Sequence, residues 1–166
     1  MKKLIAIGLL LVAAALCFAA DPAEGFWIEP GEKSPAVDFY GWKMWVQDDV
    51  LFATLVSEKG AKPDELAANS KKKSYADFCN GADISTLPVY GTPWIFNMKK
   101  KAEGRWVDGA AIDSDTGERY KCKVTFHKAD GKKYKTDTLE IRYEVGPFGE
   151  SSFLRPATEA EATNLW

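Results

Sequence analysis

Two stretches decide the architecture: Arg119-Tyr120-Lys121-Cys122-Lys123-Val124-Thr125-Phe126-His127 and Leu139-Glu140-Ile141-Arg142-Tyr143-Glu144-Val145. In the first, Tyr120, Cys122, Val124 and Phe126 alternate with charged or polar neighbours. In the second, Leu139, Ile141, Tyr143 and Val145 alternate with Glu140, Arg142 and Glu144. Period two belongs to a strand, because successive side chains leave opposite faces of the pleat. One dry face and one wet face is the habit of antiparallel sheets. On this reading His127, the one histidine among 166 residues, points to solvent.

Working outward, further strands are expected at Gly25 to Ile28, Val37 to Val46, Val50 to Val56, Trp94 to Met98, Trp106 to Ile112 and Ser151 to Arg155. Gly41 breaks the alternation of its segment and marks an expected bulge. Asp48-Asp49, Glu103-Gly104, Thr116-Gly117, Asp130-Gly131 and Gly146-Pro147 supply turn chemistry between the runs. Consecutive hairpins make a meander, and rolling it shut removes its exposed edges. The expected fold is therefore all-β: a single up-and-down antiparallel β-barrel. A short helical insert at about residues 63–81 interrupts it. Pro63-Asp64-Glu65 reads as a helix start, and Ser74 to Cys79, stopped by Asn80-Gly81, as further helical turns over one barrel end. Thr158 and Glu161 have capping-box spacing, which predicts a short C-terminal helix within residues 158–166, with Trp166 packing back.

The N-terminus has a different character. Lys2 and Lys3 precede an uncharged apolar run, Leu4 to Leu16, and then small residues. This is the layout of a signal peptide. The run is short of the ~20 residues a bilayer span needs. Cleavage near Ala19 or Ala20 leaves residues 21–166 as one domain, exported to the periplasm or cell envelope or secreted. The rival reading lipidates Cys17, although Leu16 is larger than the residue that chemistry prefers before it. Loss of residues 1–20 removes Lys2 and Lys3 and takes the net charge from −2 to −4. So acidic a chain offers no face for nucleic acid. Lys71-Lys72-Lys73, Lys99-Lys100-Lys101 and Lys132-Lys133 read as solvated loop charges, so membrane contact is weak or absent unless Cys17 carries lipid. In an oxidising compartment Cys79 and Cys122 can form one disulfide, which would stabilise by about 3–4 kcal/mol through loop entropy. Two buried free thiols are the other reading.

Few residues suggest chemistry, and none suggests a cofactor. Asp113-Ser114-Asp115-Thr116-Gly117-Glu118 resembles the start of a calcium loop, but the third acid is displaced and Val124 stands where the bidentate Glu belongs. It reads as a turn, and no metal site is expected. Asp108 is the one acid placed to point inward. A carboxylate hydrolase using Asp108 or the Asp113 turn is the enzymatic alternative. The aromatic load carries more. Phe39, Trp42, Met44, Phe52, Phe96, Tyr120, Phe126 and Tyr143 are the expected lining of a cup for a small apolar or amphipathic ligand, if the interior is not filled.

From Pro88 to Arg155 an ordered set of residues resembles the bacterial exported family of domain of unknown function 2147. The set is Pro88-x-x-Gly91, Trp106-x-x-Gly109, Ile112-Asp113, Gly117-x-x-Tyr120, Leu139-x-x-Arg142 and Gly149 ahead of Arg155. Asp21-Pro22 followed by Gly25-Phe26-Trp27 resembles that family's mature start. The chain departs from the pattern where Tyr143 follows Arg142, where Glu150 follows Gly149 with Phe153 or Leu154 in the place of a Trp, and where Ala76 precedes Cys79 in place of a first Cys. The resemblance implies an envelope protein with a lipocalin-like or streptavidin-like barrel and no established enzymatic activity. Gly25-x-Trp27 also resembles the lipocalin opening, which implies barrel closure by a cation–π stack between Trp27 and Arg155. The expected function is non-enzymatic ligand binding. The alternative is an envelope protein-interaction module, with Trp45 and Trp166 as outward contacts.

Overall fold

The computed structural model describes residues 20–31, 34–67 and 73–166. Residues 1–19, read as a signal peptide and including Cys17, lie outside the described residues, as do Lys71 and Lys72. The strands are β1 (Gly25–Gly31), β2 (Ser34–Gln47), β3 (Val50–Glu58), β4 (Ile95–Ala102), β5 (Arg105–Ile112), β6 (Arg119–His127), β7 (Thr138–Val145) and β8 (Phe148–Ala157), followed by α1 (Glu159–Thr163). They pair in chain order, and β8 pairs back on β1, so the expected antiparallel barrel is closed. Asp48 and Asp49 both take positive φ, 52° and 61°. That two-residue turn has the twist of the strands it joins, and aspartate tolerates it better than most side chains. Lys99, Lys100 and Lys101 lie on β4, not in a loop.

The expected irregularity at Gly41 is present. Between the pairs Gly41–Ser57 and Trp42–Leu55, β3 carries the extra residue, Val56. Gly41 has a second reason to lack a side chain. A Cβ there would sit 1.9 Å from the carbonyl oxygen of Ala162. Helix α1 rests on this outer patch, its first turn closed by a reciprocal capping box of Thr158 and Glu161. Ser57 donates its hydroxyl to the Ala162 carbonyl. Ile28, Ser57 and Ala162 are consequently buried although they lie outside the barrel wall. Trp166 packs back, meeting Tyr90 edge-on at 4.7 Å.

The insert differs from its expected form. The Ala67 N–H donates to the Leu87 carbonyl at 3.0 Å and the Val89 N–H to the Glu65 carbonyl at 2.9 Å. Residues 65–67 therefore run extended against 87–89, and Pro63-Asp64-Glu65 starts a turn, not a helix. Among the described residues of the insert the helical content is two single 3-10 turns, Cys79–Gly81 and Ile84–Thr86, the first distorted by Asn80 at φ 56°. Residues 73–81 form a strap on the outer wall, not a lid. Phe78 is buried against Phe96 and Trp94, at ring distances of 4.9 and 5.6 Å. Asp77 pairs with Arg119 at 2.5 Å, and Lys73 pairs with Glu118.

One end of the barrel is plugged by residues 21–24. Asp21 is the hub, its side chain only 3% exposed. It accepts from the Ala23 N–H at 3.0 Å, the Gly104 N–H at 3.2 Å, the Trp106 indole at 3.1 Å and the Lys100 ammonium at 3.0 Å. Burial pushes its carboxyl up, but these donors outweigh burial and hold it below the usual range. Glu24 accepts from the Asp21 and Val46 N–H groups, and Trp27 donates its indole N–H to the Ala23 carbonyl.

Candidate functional site

The inward face of the barrel divides into two halves. Toward the plugged end, Trp27, Met44, Leu51, Trp106, Val124, Leu139, Ile141 and Leu154 fill the interior, each 3% exposed or less. Toward the other end a cavity of about 790 Å³ opens. Each strand contributes to it. Glu29 comes from β1, Tyr40 and Trp42 from β2, Leu55 and Glu58 from β3, and Ile95 from β4, just after Trp94. Ala111 and Ile112 end β5, Asp113, Ser114 and Asp115 form the rim turn, and Tyr120, Tyr143, Glu150 and Ser152 come from β6 to β8.

Trp42 donates its indole N–H to Glu29 at 2.9 Å, and Tyr90 donates its hydroxyl to Glu58 at 3.2 Å. The Trp94 indole is anchored on the Val89 carbonyl. Asp113 holds the rim turn by accepting from the Asp115 and Thr116 N–H groups at 2.8 and 3.0 Å. The carboxylates feel their confinement. Burial, then the charges of Asp115 and Glu65, push Glu58 up despite the Tyr90 hydrogen bond. Asp115 is pushed up by partial desolvation, then by Asp113 and Glu65. Tyr143 is raised well above the usual phenol range by burial, then by Glu29, Cys122 and Asp113, and Tyr120 is raised as well.

Of the eight side chains expected to line the cup, Trp42, Tyr120 and Tyr143 do so. Met44 and Phe126 face inward but belong to the filled half, Phe126 edge-on to Trp27 at 6.2 Å. Phe52 is paired with Trp45 on the outer face and stacks on it at 5.6 Å. The reason is phase: Leu51, Ala53 and Leu55 point in, so Phe52 points out. Phe96 is also outward, covered by Phe78. Phe39 sits at a register shift at the rim, against Tyr40 and Gly31, and is not part of the lining. The residues missed are Glu29, Tyr40, Glu58, Trp94 and Glu150. Glu29 had a signal, since it stands two residues after the inward Trp27.

Asp108 does not point inward. It is exposed, at φ 57°, where a register shift between Trp106 and Gly109 turns it out. His127 lies on the outer face, 2.8 Å from Glu140 and stacked on Tyr134. Glu140 also accepts from Ser151 at 2.7 Å, so the glutamate, not the histidine, stands in the middle. Cys79 and Cys122 are free thiols. Cys122 is buried in mid-barrel between Gly109 and Tyr143, and burial pushes its thiol far up; Cys79 sits on the strap. Among the described residues no group of three or more His, Cys, Asp or Glu is gathered as metal ligands.

Residues 25–154 match the family described as "Uncharacterized protein conserved in bacteria (DUF2147)". The chain belongs to the DUF2147 family. This DUF2147 protein is also similar to a solved structure, "Protein HP1028 from the human pathogen Helicobacter pylori belongs to the lipocalin family". The identity is 14%, the likeness covers 86% of this chain and 87% of that one, and the TM-score is 0.58. At that identity the likeness is one of fold. No curated protein sequence matches the chain. The DUF2147 barrel departs from the expected lipocalin-type closure. Arg155 is the cross-strand partner of Ile28, and Trp27 that of Pro156, so Arg155 and Trp27 leave opposite faces. Arg155 pairs outside with Asp38 at 2.6 Å. Asp21 and Trp106 take over the closing role.

Proposed function

We propose that this DUF2147 protein is an exported, non-enzymatic binding protein that holds a small amphipathic molecule in the open half of its barrel. The observation that carries the reading is the cup itself. Its volume of about 790 Å³ lies within the range of small-ligand sites, and indole and phenol rings line it beside a few polar groups. The lipocalin-family neighbour supports the same reading at the level of fold. Export rests on the basic, then apolar, then small-residue order of the first twenty residues. A binding role fits the placement of the acids: Asp108 is on the outer surface and Asp113 is engaged in its own turn.

Native mass spectrometry of the protein purified from its own host tests this. The expected spectrum shows a small molecule retained by the wild type and lost in Ala111→Trp, which puts an indole into the cup. A host-purified protein at the bare chain mass, with no uptake from a host lipid and metabolite extract, overturns it.

A further inference from the structure

The β7–β8 hairpin carries one of its faces through three surroundings. Cross-strand partners share a face, so its lumen side is given by the pairs Leu139–Leu154, Ile141–Ser152, Tyr143–Glu150 and Val145–Phe148. Leu139, Ile141 and Leu154 are fully buried in the filled half. Tyr143, Glu150 and Ser152 line the cup. Val145 and Phe148, the last pair, are 60% and 79% exposed. They stand one pair beyond the lining, on the same face, at the mouth. The opposite face at that level holds Glu144 and Gly149, with Glu144 tied to Lys123 and Arg142. The tip is thus apolar toward the mouth and polar away from it. From Val145 to Gly149 the chain carries no charge, whereas every other connection between successive strands contains a charged residue. The hairpin is also held along one edge. The ladder from β7 to β6 stops at the pair Glu144–Lys121, and β8 meets β1 only from Arg155 onward. Among the described residues, Phe148 to Leu154 have ladder partners on β7 alone.

We infer that Val145 and Phe148 belong to the binding site: the β7–β8 hairpin is an apolar lip that closes on the occupant of the cup. This deepens the binding role proposed above and rests on it. The occupant then has an apolar part that reaches the mouth, where it covers two side chains that water otherwise surrounds. A hairpin tied along one edge opens and bends more readily than one zipped along both. A bilayer or a second copy of the chain would call for apolar side chains turned away from the mouth, and that side carries Glu144. The lip acts on escape more than on entry, because it makes its contacts only once the cup is occupied.

The test uses residues 21–166 and N-phenyl-1-naphthylamine, an uncharged fluorescent probe, in stopped-flow mixing. Phe148→Ser is expected to release the probe about five- to tenfold faster than wild type, with the association rate within about twofold. Val145→Ser acts in the same direction. Phe153→Ser, on the outer face of the same hairpin, is the control and should release the probe as wild type does. Both lip side chains are exposed, so urea midpoints should match wild type and separate a lip from a folding defect. Equal release from wild type and Phe148→Ser overturns the lip and leaves the cup as a binding site. Unchanged release together with lost binding to phosphatidylethanolamine–phosphatidylglycerol vesicles also overturns it and makes the tip a membrane contact. If the probe does not bind, the molecule retained from the host takes its place: the lip requires that dialysis strip it from Phe148→Ser before wild type, and equal retention overturns it. If wild type holds neither, the binding role falls and the lip falls with it.

Discussion

The two ends of the barrel use the same residue type in opposite ways. At the plugged end Asp21 is buried with two backbone N–H groups, an indole and an ammonium pointed at it. At the open end Glu58 and Asp115 are partly desolvated beside other acids. The first arrangement holds its carboxyl below the usual range; the second raises it. A carboxylate whose donors are already in place is a structural joint. A carboxylate raised by burial and by neighbouring acids works against the stability of the folded chain.

The sharpest way to break this contrast is Asp21→Ala. It strands the Lys100 ammonium, the Trp106 indole and two backbone N–H groups in the plug, and should cost about 3 kcal/mol in urea-induced unfolding. Asp21→Asn keeps an acceptor and should lose less. The pH dependence has a definite sign. Because the folded Asp21 carboxyl titrates below its unfolded value near 3.9, its contribution is complete above that value and is lost as pH falls through the folded one. A wild-type acid limb no steeper than that of Asp21→Asn would remove Asp21 from its place as the hub.

Glu58→Gln should act the other way. A carboxyl raised in the folded state opposes folding as pH climbs past its unfolded value. The empty variant should therefore be slightly more stable than wild type at pH 7, by less than about 1 kcal/mol, and equal to it at pH 4. Urea midpoints at both pH values decide this. A clear loss at pH 7 would make Glu58 a second structural joint and erase the contrast. The smallest effect concerns the thiols. With Cys79 and Cys122 free, the unfolding midpoint should be the same with and without a reductant, and Cys122 should resist thiol reagents until the chain unfolds.

The barrel was legible where one face of a strand is wet. Tyr120, Cys122, Val124 and Phe126 face inward as their alternation with lysines implies, and the capping box at Thr158 formed as its spacing implies. Legibility failed where something covers the outside. The strap over Phe96 and the Trp45 contact on Phe52 make both faces of β3 and β4 read as apolar, so pattern alone could not choose the inward phase. The extra residue Val56 shifts the phase again ahead of Glu58. The start of the insert looked helical because Pro63-Asp64-Glu65 has N-terminal helix composition. Its partner, residues 87–89, is too distant in sequence for a local pattern to register.

The ladder between β1 and β8 has three pairs, Phe26–Ala157, Trp27–Pro156 and Ile28–Arg155. The wall is therefore sealed by the two ends of the chain, and no shorter fragment can seal it. A polypeptide synthesised or threaded across a membrane N-terminus first must keep its first strand waiting until Ala157 emerges. Such long-range pairing is slow to form. Closure of the wall is therefore expected to be the last event in folding, after the hairpins between neighbouring strands have formed.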